Sequence, residues 1–329
     1  MVRSFAVVLA GVCALLLPLL SPAHHSVAFY STDKIELAGE ITKIDWQNPH
    51  IQFGFRDTAG KSWKLESSSI FLREKDGVTR DLFHVGDDVK VFGRTSSHNA
   101  AALLVTNMLL PDGREAPLWP ESPPHFVSAD KMIKAAPRLV EAAAENRGIF
   151  RVWRPDNASI ARGMAGVRYT EAAVAARKSY DLLAAAARCE PEGMPRIMIA
   201  LFPFELVDRG NEIVLRTELY DTERTIHMDR KAPPAGEPPS KLGYSVGEWQ
   251  DGALVVKTTL VNWPYFDTSG TPISANVRIE ERYTLSSDQT RLDFAMTVDD
   301  PTTFTAPAKL DITWDAYGDA IGRYDCKRD

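Results

Sequence analysis

Histidines are concentrated near the start of this sequence. Six of the seven lie between His24 and His125, and only His227 follows them. If the chain is cut after Ala23, His24 carries a free α-amine beside its imidazole, and His25 adds a second imidazole. The amine titrates at about pH 8, so a bound metal can displace its proton near neutrality. Nitrogen donors favour Cu(II), which heads the divalent affinity order, and the pair therefore predicts a copper-type metal site.

His50 is the predicted third ligand. It follows Asn48-Pro49 at a turn that enters a strand of the same domain. We therefore expect His24, His25 and His50 to bind one metal ion, with copper as the cofactor. The alternative is a terminus whose histidines are simply solvated. Three other histidines lie in polar, turn-like surroundings and are predicted to be surface or hydrogen-bonding residues: His84, His98 and His125.

The predicted cut after Ala23 depends on the first residues of the chain. Arg3 is followed by an apolar run from Phe5 to Leu20 and then by Ser21-Pro22-Ala23. A basic start, an apolar run and small residues before the cut are the layout of a secretory signal peptide. The run is shorter than the roughly 20 residues that span a bilayer. Residues 1–23 are therefore predicted to be a signal peptide, and the mature chain to be periplasmic or secreted.

Two cysteines remain once Cys13 is removed with the signal. They are Cys189 and Cys326, and an oxidising compartment would allow them to form a disulfide. Two buried free thiols are the alternative.

Composition limits the class of protein. The 329 residues include 44% hydrophobic residues, which suits two folded domains. The formal net charge of -6 provides no basic surface large enough for nucleic acid. No second long apolar segment follows the signal, so we expect no membrane span in the mature chain.

The first half of the mature chain contains short β runs separated by turns. Five strands and one helical turn near 69–73 predict a small barrel of the oligonucleotide/oligosaccharide-binding (OB) type at residues 24–112. The strands are predicted at Ile35–Asp45, His50–Arg56, Ser62–Ser67, Asp88–Arg94 and Ala102–Leu110. Five prolines between Pro111 and Pro124 predict an extended linker at residues 113–127.

Residues 128–329 predict two packing helices followed by a larger antiparallel β domain. The helices are expected at Ser128–Asn146 and Thr170–Arg188. Eight strands are expected between Ile197 and Tyr317, joined by short turns as a meander. Eight strands can close a lipocalin-like barrel around a ligand, although a filled sandwich has the same pattern. The fold class is therefore mainly β.

Three residues of the C-terminal domain are candidates for catalysis: His227, Glu248 and Glu281. His227 with a nearby carboxylate, such as Glu223 on the same strand, could transfer a proton in a lyase or isomerase. A histidine that is hydrogen-bonded or solvated is the alternative. Glu281 and Arg282 point to opposite faces of one strand, which favours separate ion pairs. Neither a nucleophile elbow nor a dinucleotide fingerprint is present.

Several motifs carry a family resemblance. His24-His25-Ser26, Trp46-Gln47-Asn48-Pro49-His50 and Leu110-Pro111-Asp112-Gly113 resemble a bacterial family of exported domains of unknown function. The resemblance implies that His24, His25 and His50 belong together.

The remainder is similar to a second uncharacterised exported domain that is often fused to the first. That pattern includes both Cys189 and Cys326 and so favours the disulfide. This chain departs from it at Tyr244 and Ile273, where relatives commonly have histidines.

The sequence therefore predicts an exported periplasmic binding protein whose partner is a metal ion or a small hydrophobic ligand. The alternatives are a lyase or isomerase acting on a hydrophobic substrate, and a structural adaptor in the cell envelope. An apolar cavity around His227 would favour the enzyme, and a filled core would favour the adaptor.

Overall fold

The protein consists of two β barrels with few helices. A computed structural model describes residues 30–96, 99–120, 122–134, 148–180, 189–317, 321–324 and 326. Fifteen strands and three α-helices are present in this part of the chain. The mainly β fold class is confirmed.

The N-terminal barrel contains six strands and one short helix, α1 at Ile70–Glu74. The strands are β1 Tyr30–Asp45, β2 Gln52–Asp57, β3 Ser62–Glu66, β4 Asp88–Ser96, β5 Ala102–Leu109 and β6 Glu115–Pro117. β1 pairs with both β2 and β4, and a parallel pairing of β3 with β5 completes a five-stranded ring. With α1 between β3 and β4, this is the OB-like order that the sequence predicts.

The long strand β1 pairs with β4 through residues 30–40 and with β2 through residues 39–45. Its register shifts between Ile41 and Lys43, which marks a bulge of the kind that increases local twist. A Cβ atom at Gly39 would collide with the carbonyl oxygen of Arg56, so this position needs glycine. Inside the ring lies an apolar core that includes Ile41 and Phe53, both almost fully buried.

The proline-rich segment packs against this barrel. Residues 113–127 were expected to form an extended linker, yet β6 lies within them and pairs with β5. The backbone N–H of Glu115 donates to Lys131 O, and that of Ile133 donates to Glu115 O. Leu118 and Ile133 join the N-terminal core. The prolines do not prevent pairing because Pro117 ends the strand, where no further ladder N–H is required.

The C-terminal barrel is closed by nine strands. They are β7 Val152–Pro155, β8 Phe204–Asp208, β9 Glu212–Thr217, β10 Thr222–His227, β11 Tyr244–Gln250, β12 Ala253–Thr259, β13 Arg278–Leu285, β14 Arg291–Asp299 and β15 Ala308–Tyr317. Neighbours in the chain from β7 to β15 pair in order, and β15 then pairs with β7. All pairs are antiparallel except a short parallel contact between β10 and β11.

Two features of this barrel differ from the sequence prediction of an eight-stranded meander. The ninth strand, β7, is only four residues long and was missed because so short a run has no clear period. The connection from β10 to β11 spans residues 228–243, too long for a hairpin, and so permits parallel pairing.

Alternating burial shows how the strands build the core. In β14 the side chains of Leu292, Phe294, Met296 and Val298 are buried, and the residues between them face outward. Large aromatic residues from other strands meet these inside the barrel, including Trp153, Phe204, Tyr283 and Trp314. The centre of the barrel is therefore occupied by packed side chains.

Two helices pack with the C-terminal barrel. They are α2 Asn157–Ala165 and α3 Glu171–Ala176. Asp156 and Thr170 cap them through bonds from the backbone N–H groups of Ala158 and Ala173.

The two predicted helices have different outcomes. The helix expected from Thr170 is present as α3 at its start, while residues 181–188 lie outside the described residues. Residues 128–134, the start of the other predicted helix, are not helical because their backbone pairs with β6. Its remainder, 135–147, lies outside the described residues.

Among the described residues, no helix is both long and apolar enough to cross a membrane.

Candidate functional site

His50 lies in the tight connection between β1 and β2, where neighbouring groups hold the backbone firmly. The preceding Asn48–Pro49 peptide bond is cis. The buried Asn48 side chain accepts a hydrogen bond from Ile70 N at 3.0 Å and donates one to Tyr324 O at 3.1 Å. Next to His50, Ile51 exchanges backbone bonds with Ser67 and Ser68. The backbone at His50 is therefore held in a fixed position.

A buried carboxylate orients the His50 ring. Nδ1 of His50 lies 2.6 Å from Oε1 of Glu66, the last residue of β3. The other oxygen, Oε2, accepts a hydrogen bond of 3.2 Å from Tyr30 Oη. Glu66 is 2% exposed, while the His50 side chain retains 21% of its accessible surface. This arrangement holds the ring with Nδ1 facing the carboxylate and Nε2 on the opposite side.

A carboxylate on one ring nitrogen is the usual partner of a histidine that binds a metal through the other nitrogen. The bond fixes the tautomer and the ring plane, and it makes the ligating nitrogen more basic. Sequence reasoning identified His50 but not Glu66 or Tyr30. No clear signal for Glu66 was present in the sequence, because β3 has the mixed sequence Ser-Trp-Lys-Leu-Glu and the burial of the carboxylate is evident only in the folded chain.

His24 and His25, the other two predicted ligands, lie outside the described residues. Within the described ranges, no group of three or more histidine, cysteine, aspartate or glutamate side chains is placed to hold a metal ion. Tyr30 begins β1 six residues after His24. Six residues reach at most about 20 Å when extended. Tyr30 is itself bonded to Glu66, so the chain is long enough to bring the N-terminus to His50.

Of the remaining histidines of this domain, His84 and His125 are described and lie at the surface. His84 is exposed, and its Nδ1 lies 3.6 Å from Oδ2 of Asp87. His125 stacks on Phe92 with ring centres 3.6 Å apart, and its Nε2 lies 2.7 Å from Glu36 Oε1. His98 lies outside the described residues. These placements match the predicted surface or hydrogen-bonding roles for His84 and His125.

The three catalytic candidates of the C-terminal domain are not assembled into one site. His227 Nδ1 lies 3.3 Å from Oε1 of Glu212 on the neighbouring strand β9, and its ring stacks on Tyr244. Glu248 forms an ion pair of 3.2 Å with Lys231 at the surface. Glu281 is fully buried inside the barrel. The structure therefore brings none of these three side chains together.

Glu281 belongs to a polar network in the barrel interior. Both of its oxygens accept from the guanidinium of Arg224, and Oε1 also accepts from Tyr283 Oη at 2.9 Å. Arg224 further donates to Ser245 Oγ at 3.0 Å and to Thr258 Oγ1 at 2.7 Å. Each charged group thus has several partners, as burial of an ion pair requires. The alternating pattern of β10 could have predicted that Arg224 faces the barrel interior, since it lies on the same face of the strand as Ile226.

Cys189 and Cys326 form a disulfide across 137 residues. The bridge links Cys326 to the C-terminal domain at Cys189. Just before it, Tyr324 contacts the ring of Tyr220, and its backbone N–H donates to Asp221 Oδ1 at 3.0 Å. Tyr324 O is the group that accepts from Asn48. The disulfide-linked segment thus touches the turn that carries His50.

Carboxylates of the two barrels also meet at this junction. Glu218 is buried, and this burial, together with the nearby charges of Glu74 and Asp221, raises its pKa to about 8. Glu74 lies at the end of α1 in the N-terminal barrel, and burial raises its pKa as well. A protonated Glu218 at neutral pH avoids charge repulsion with Glu74 and Asp221.

Comparison with known proteins bears on the N-terminal part alone. No curated protein matches the chain. Residues 14–103 match the model of a family of unknown function, DUF6152, and this stretch contains His24, His25, His50 and Glu66.

Proposed function

We propose that this protein is an exported metal-binding protein whose N-terminal barrel holds one Cu(II)-type ion. The ligands are the α-amine and imidazole of His24, the imidazole of His25 and Nε2 of His50. The predicted removal of residues 1–23 creates the amine and places the protein in the periplasm or outside the cell.

One observation carries the proposal, namely the 2.6 Å contact between Glu66 and His50 Nδ1. Backbone N–H groups alone could have supplied the hydrogen bonds that a buried carboxylate requires, without a histidine. Here the carboxylate instead aligns a partly exposed imidazole and is supported from behind by Tyr30. Such a chain of tyrosine, carboxylate and histidine is what a preorganised metal ligand needs.

Tyr30 adds a second supporting point. It anchors the start of β1 at the same carboxylate that orients His50. Tyr30, six positions after His24, is therefore fixed at the edge of the proposed site. A short tether keeps the local concentration of the terminal histidines high, which strengthens chelation.

The test is the Cu(II) affinity of protein purified from the periplasm, with the start at His24 verified by intact mass. We expect a 1:1 complex in competition with a chelator, and an electron paramagnetic resonance spectrum with nitrogen ligands. Removing His24 and His25, or His50→Ala, should each weaken binding by at least 100-fold. Glu66→Gln keeps the shape of the side chain but not its charge, and should cost roughly 10- to 100-fold.

His84→Ala is the matched control, because it removes an exposed histidine of the same barrel. It should leave the affinity unchanged. Equal affinity of the wild-type protein and the protein lacking His24 and His25 would overturn the proposal. So would an unchanged nitrogen signature in His50→Ala.

For the C-terminal barrel, the packed interior favours a structural role over enclosure of an organic ligand. Trp153, Trp314 and the Arg224–Glu281 pair occupy the space in which a lipocalin-like barrel would hold its ligand. The candidates for lyase or isomerase chemistry are separated between the barrel interior and the outer surface. Catalysis by His227 would need a carboxylate other than Glu248 or Glu281. Glu212 is in contact with His227, so substitution of His227 and Glu212 would test this alternative.

A further inference from the structure

A cleft of about 510 Å³ lies on the outer face of the N-terminal barrel, and His50 is not one of its lining residues. Its floor is formed by β1 and β4, which contribute Lys34, Phe92 and Arg94. Its wall is the proline-rich segment, which contributes Trp119 and Pro123. A volume of this size is typical of small-molecule sites.

The wall is held in place by a buried carboxylate. Glu115 is fully buried and accepts hydrogen bonds from the backbone N–H groups of His125 at 2.9 Å, Phe126 at 2.7 Å and Val127 at 3.0 Å. Asn107, also buried, donates to Glu115 and to Pro123 O at 2.9 Å. A flexible linker would need no such anchor. These hydrogen bonds therefore fix the position of the segment beside the cleft.

Among the described residues that line the cleft, the charged side chains are those of Lys34 and Arg94. The Lys34 ammonium lies 5.6 Å from the centre of the Phe92 ring, and within the described ranges it forms no ion pair. Arg94 is fixed by donation from Nε to Ser31 O and from Nη2 to Tyr30 O, both at 2.7 Å. The carboxylate of Glu36 lies 2.7 Å from Nε2 of His125, which lines the cleft. The lining combines two cations with aromatic surface, and none of the described residues that line it is an aspartate or a glutamate.

We propose that this cleft binds a small aromatic carboxylate. The carboxylate lies against Lys34 and Arg94, where charge-assisted hydrogen bonds are strongest. The aromatic ring packs on Trp119 and the proline rings of the wall, which are flat and apolar. The site shares no residue with the proposed metal centre, so the two proposals stand or fall separately.

The test uses 2-naphthoate as the probe and 2-naphthylmethanol as its neutral counterpart, with the mature full-length protein in a calorimeter. We expect 2-naphthoate to bind with a submillimolar dissociation constant and the alcohol at least 10-fold more weakly. Lys34→Met and Trp119→Leu should each weaken 2-naphthoate at least 10-fold. Lys43→Met, an exposed lysine on the same strand, is the matched control and should bind normally.

A second measurement detects binding in the wild-type protein and so does not depend on correct folding of the variants. The Trp119 indole N–H resonance, assigned by Trp119→Phe, should shift on titration with 2-naphthoate in the wild-type protein. The proposal is overturned by absence of binding at millimolar probe. Equal affinity for the alcohol, or unchanged binding in Lys34→Met with no shift of the Trp119 resonance, also overturns it.

Discussion

The side-chain amide of Asn48 donates a 3.1 Å hydrogen bond to the backbone oxygen of Tyr324, which is 276 residues later in the chain. This contact joins the turn that carries His50 to the segment ending in the Cys189–Cys326 disulfide. A single buried amide thus connects the candidate site to the C-terminal domain.

Replacement of Asn48 by alanine should destabilise the protein by about 1–3 kcal/mol, because it leaves Tyr324 O and Ile70 N without their partner. Urea unfolding of the two proteins measures the difference in free energy. Asn276→Ala, an exposed asparagine, is the control and should change little. A loss below about 0.5 kcal/mol in Asn48→Ala would show that the contact contributes little.

Loss of the disulfide should cost about 2–5 kcal/mol, since the bridge closes a loop of 137 residues and restricts the unfolded chain. The double variant Cys189→Ser, Cys326→Ser tests this by urea unfolding. Reducing agent should lower the stability of the wild-type protein toward that of the variant and leave the variant unchanged. Two titratable thiols in the unreduced wild-type protein would instead mean that the bridge does not form in solution.

The buried pair Arg224–Glu281 predicts strong coupling between two substitutions. Glu281→Gln leaves a buried guanidinium without its counter-charge, so we expect a loss of about 3–5 kcal/mol. Arg224→Met combined with Glu281→Leu removes both charges and should recover much of that loss. The readout is the free energy of unfolding of the single and double variants. Additive losses would contradict the prediction, because they would mean that the two charges do not depend on each other.

Glu218 predicts a fall in stability with rising pH. Its pKa of about 8 in the folded protein lies above the ordinary 4.5, so between these values the folded state keeps a proton that the unfolded state has lost. The contribution of Glu218 to the free energy of unfolding should therefore fall between about pH 4.5 and 8, at up to about 1.4 kcal/mol per pH unit.

Glu218→Gln removes this contribution. The free energy of unfolding of the variant should therefore increase relative to that of the wild-type protein as the pH rises through that range. The check is urea unfolding of both proteins at intervals between pH 5 and 8. Glu280→Gln, an exposed position on β13, provides the comparison and should follow the wild-type curve. Parallel curves for wild type and Glu218→Gln would show that Glu218 is ionised in the folded state.

Local patterns in the sequence were sufficient for most strands. The alternation in Val89-Lys90-Val91-Phe92 marks β4, and the turn Gln250-Asp251-Gly252 marks the junction of β11 and β12. The short strand β7 could not be found this way. It is specified by its neighbours β8 and β15, which need a partner on each side to close the barrel.

The proline-rich segment shows why composition misleads at a tertiary contact. Five prolines indicate an extended chain without a ladder, yet residues 115–117 form the strand β6 and turns or bends occur on both sides of it. Its position against the barrel, however, depends on the Glu115 carboxylate, whose backbone partners at His125, Phe126 and Val127 are reached only after the chain turns back.

By itself, the sequence determined the mainly β fold, the OB-like first barrel and His50 as a residue of interest, because periodicity and turn residues act over a few neighbours. Tertiary structure alone decided that Glu66 and Tyr30 orient His50, and that Glu281 faces Arg224 inside a filled barrel. Those relationships join residues tens of positions apart, and burial makes each of them necessary. A carboxylate removed from water must find a partner, and only the folded chain specifies which one.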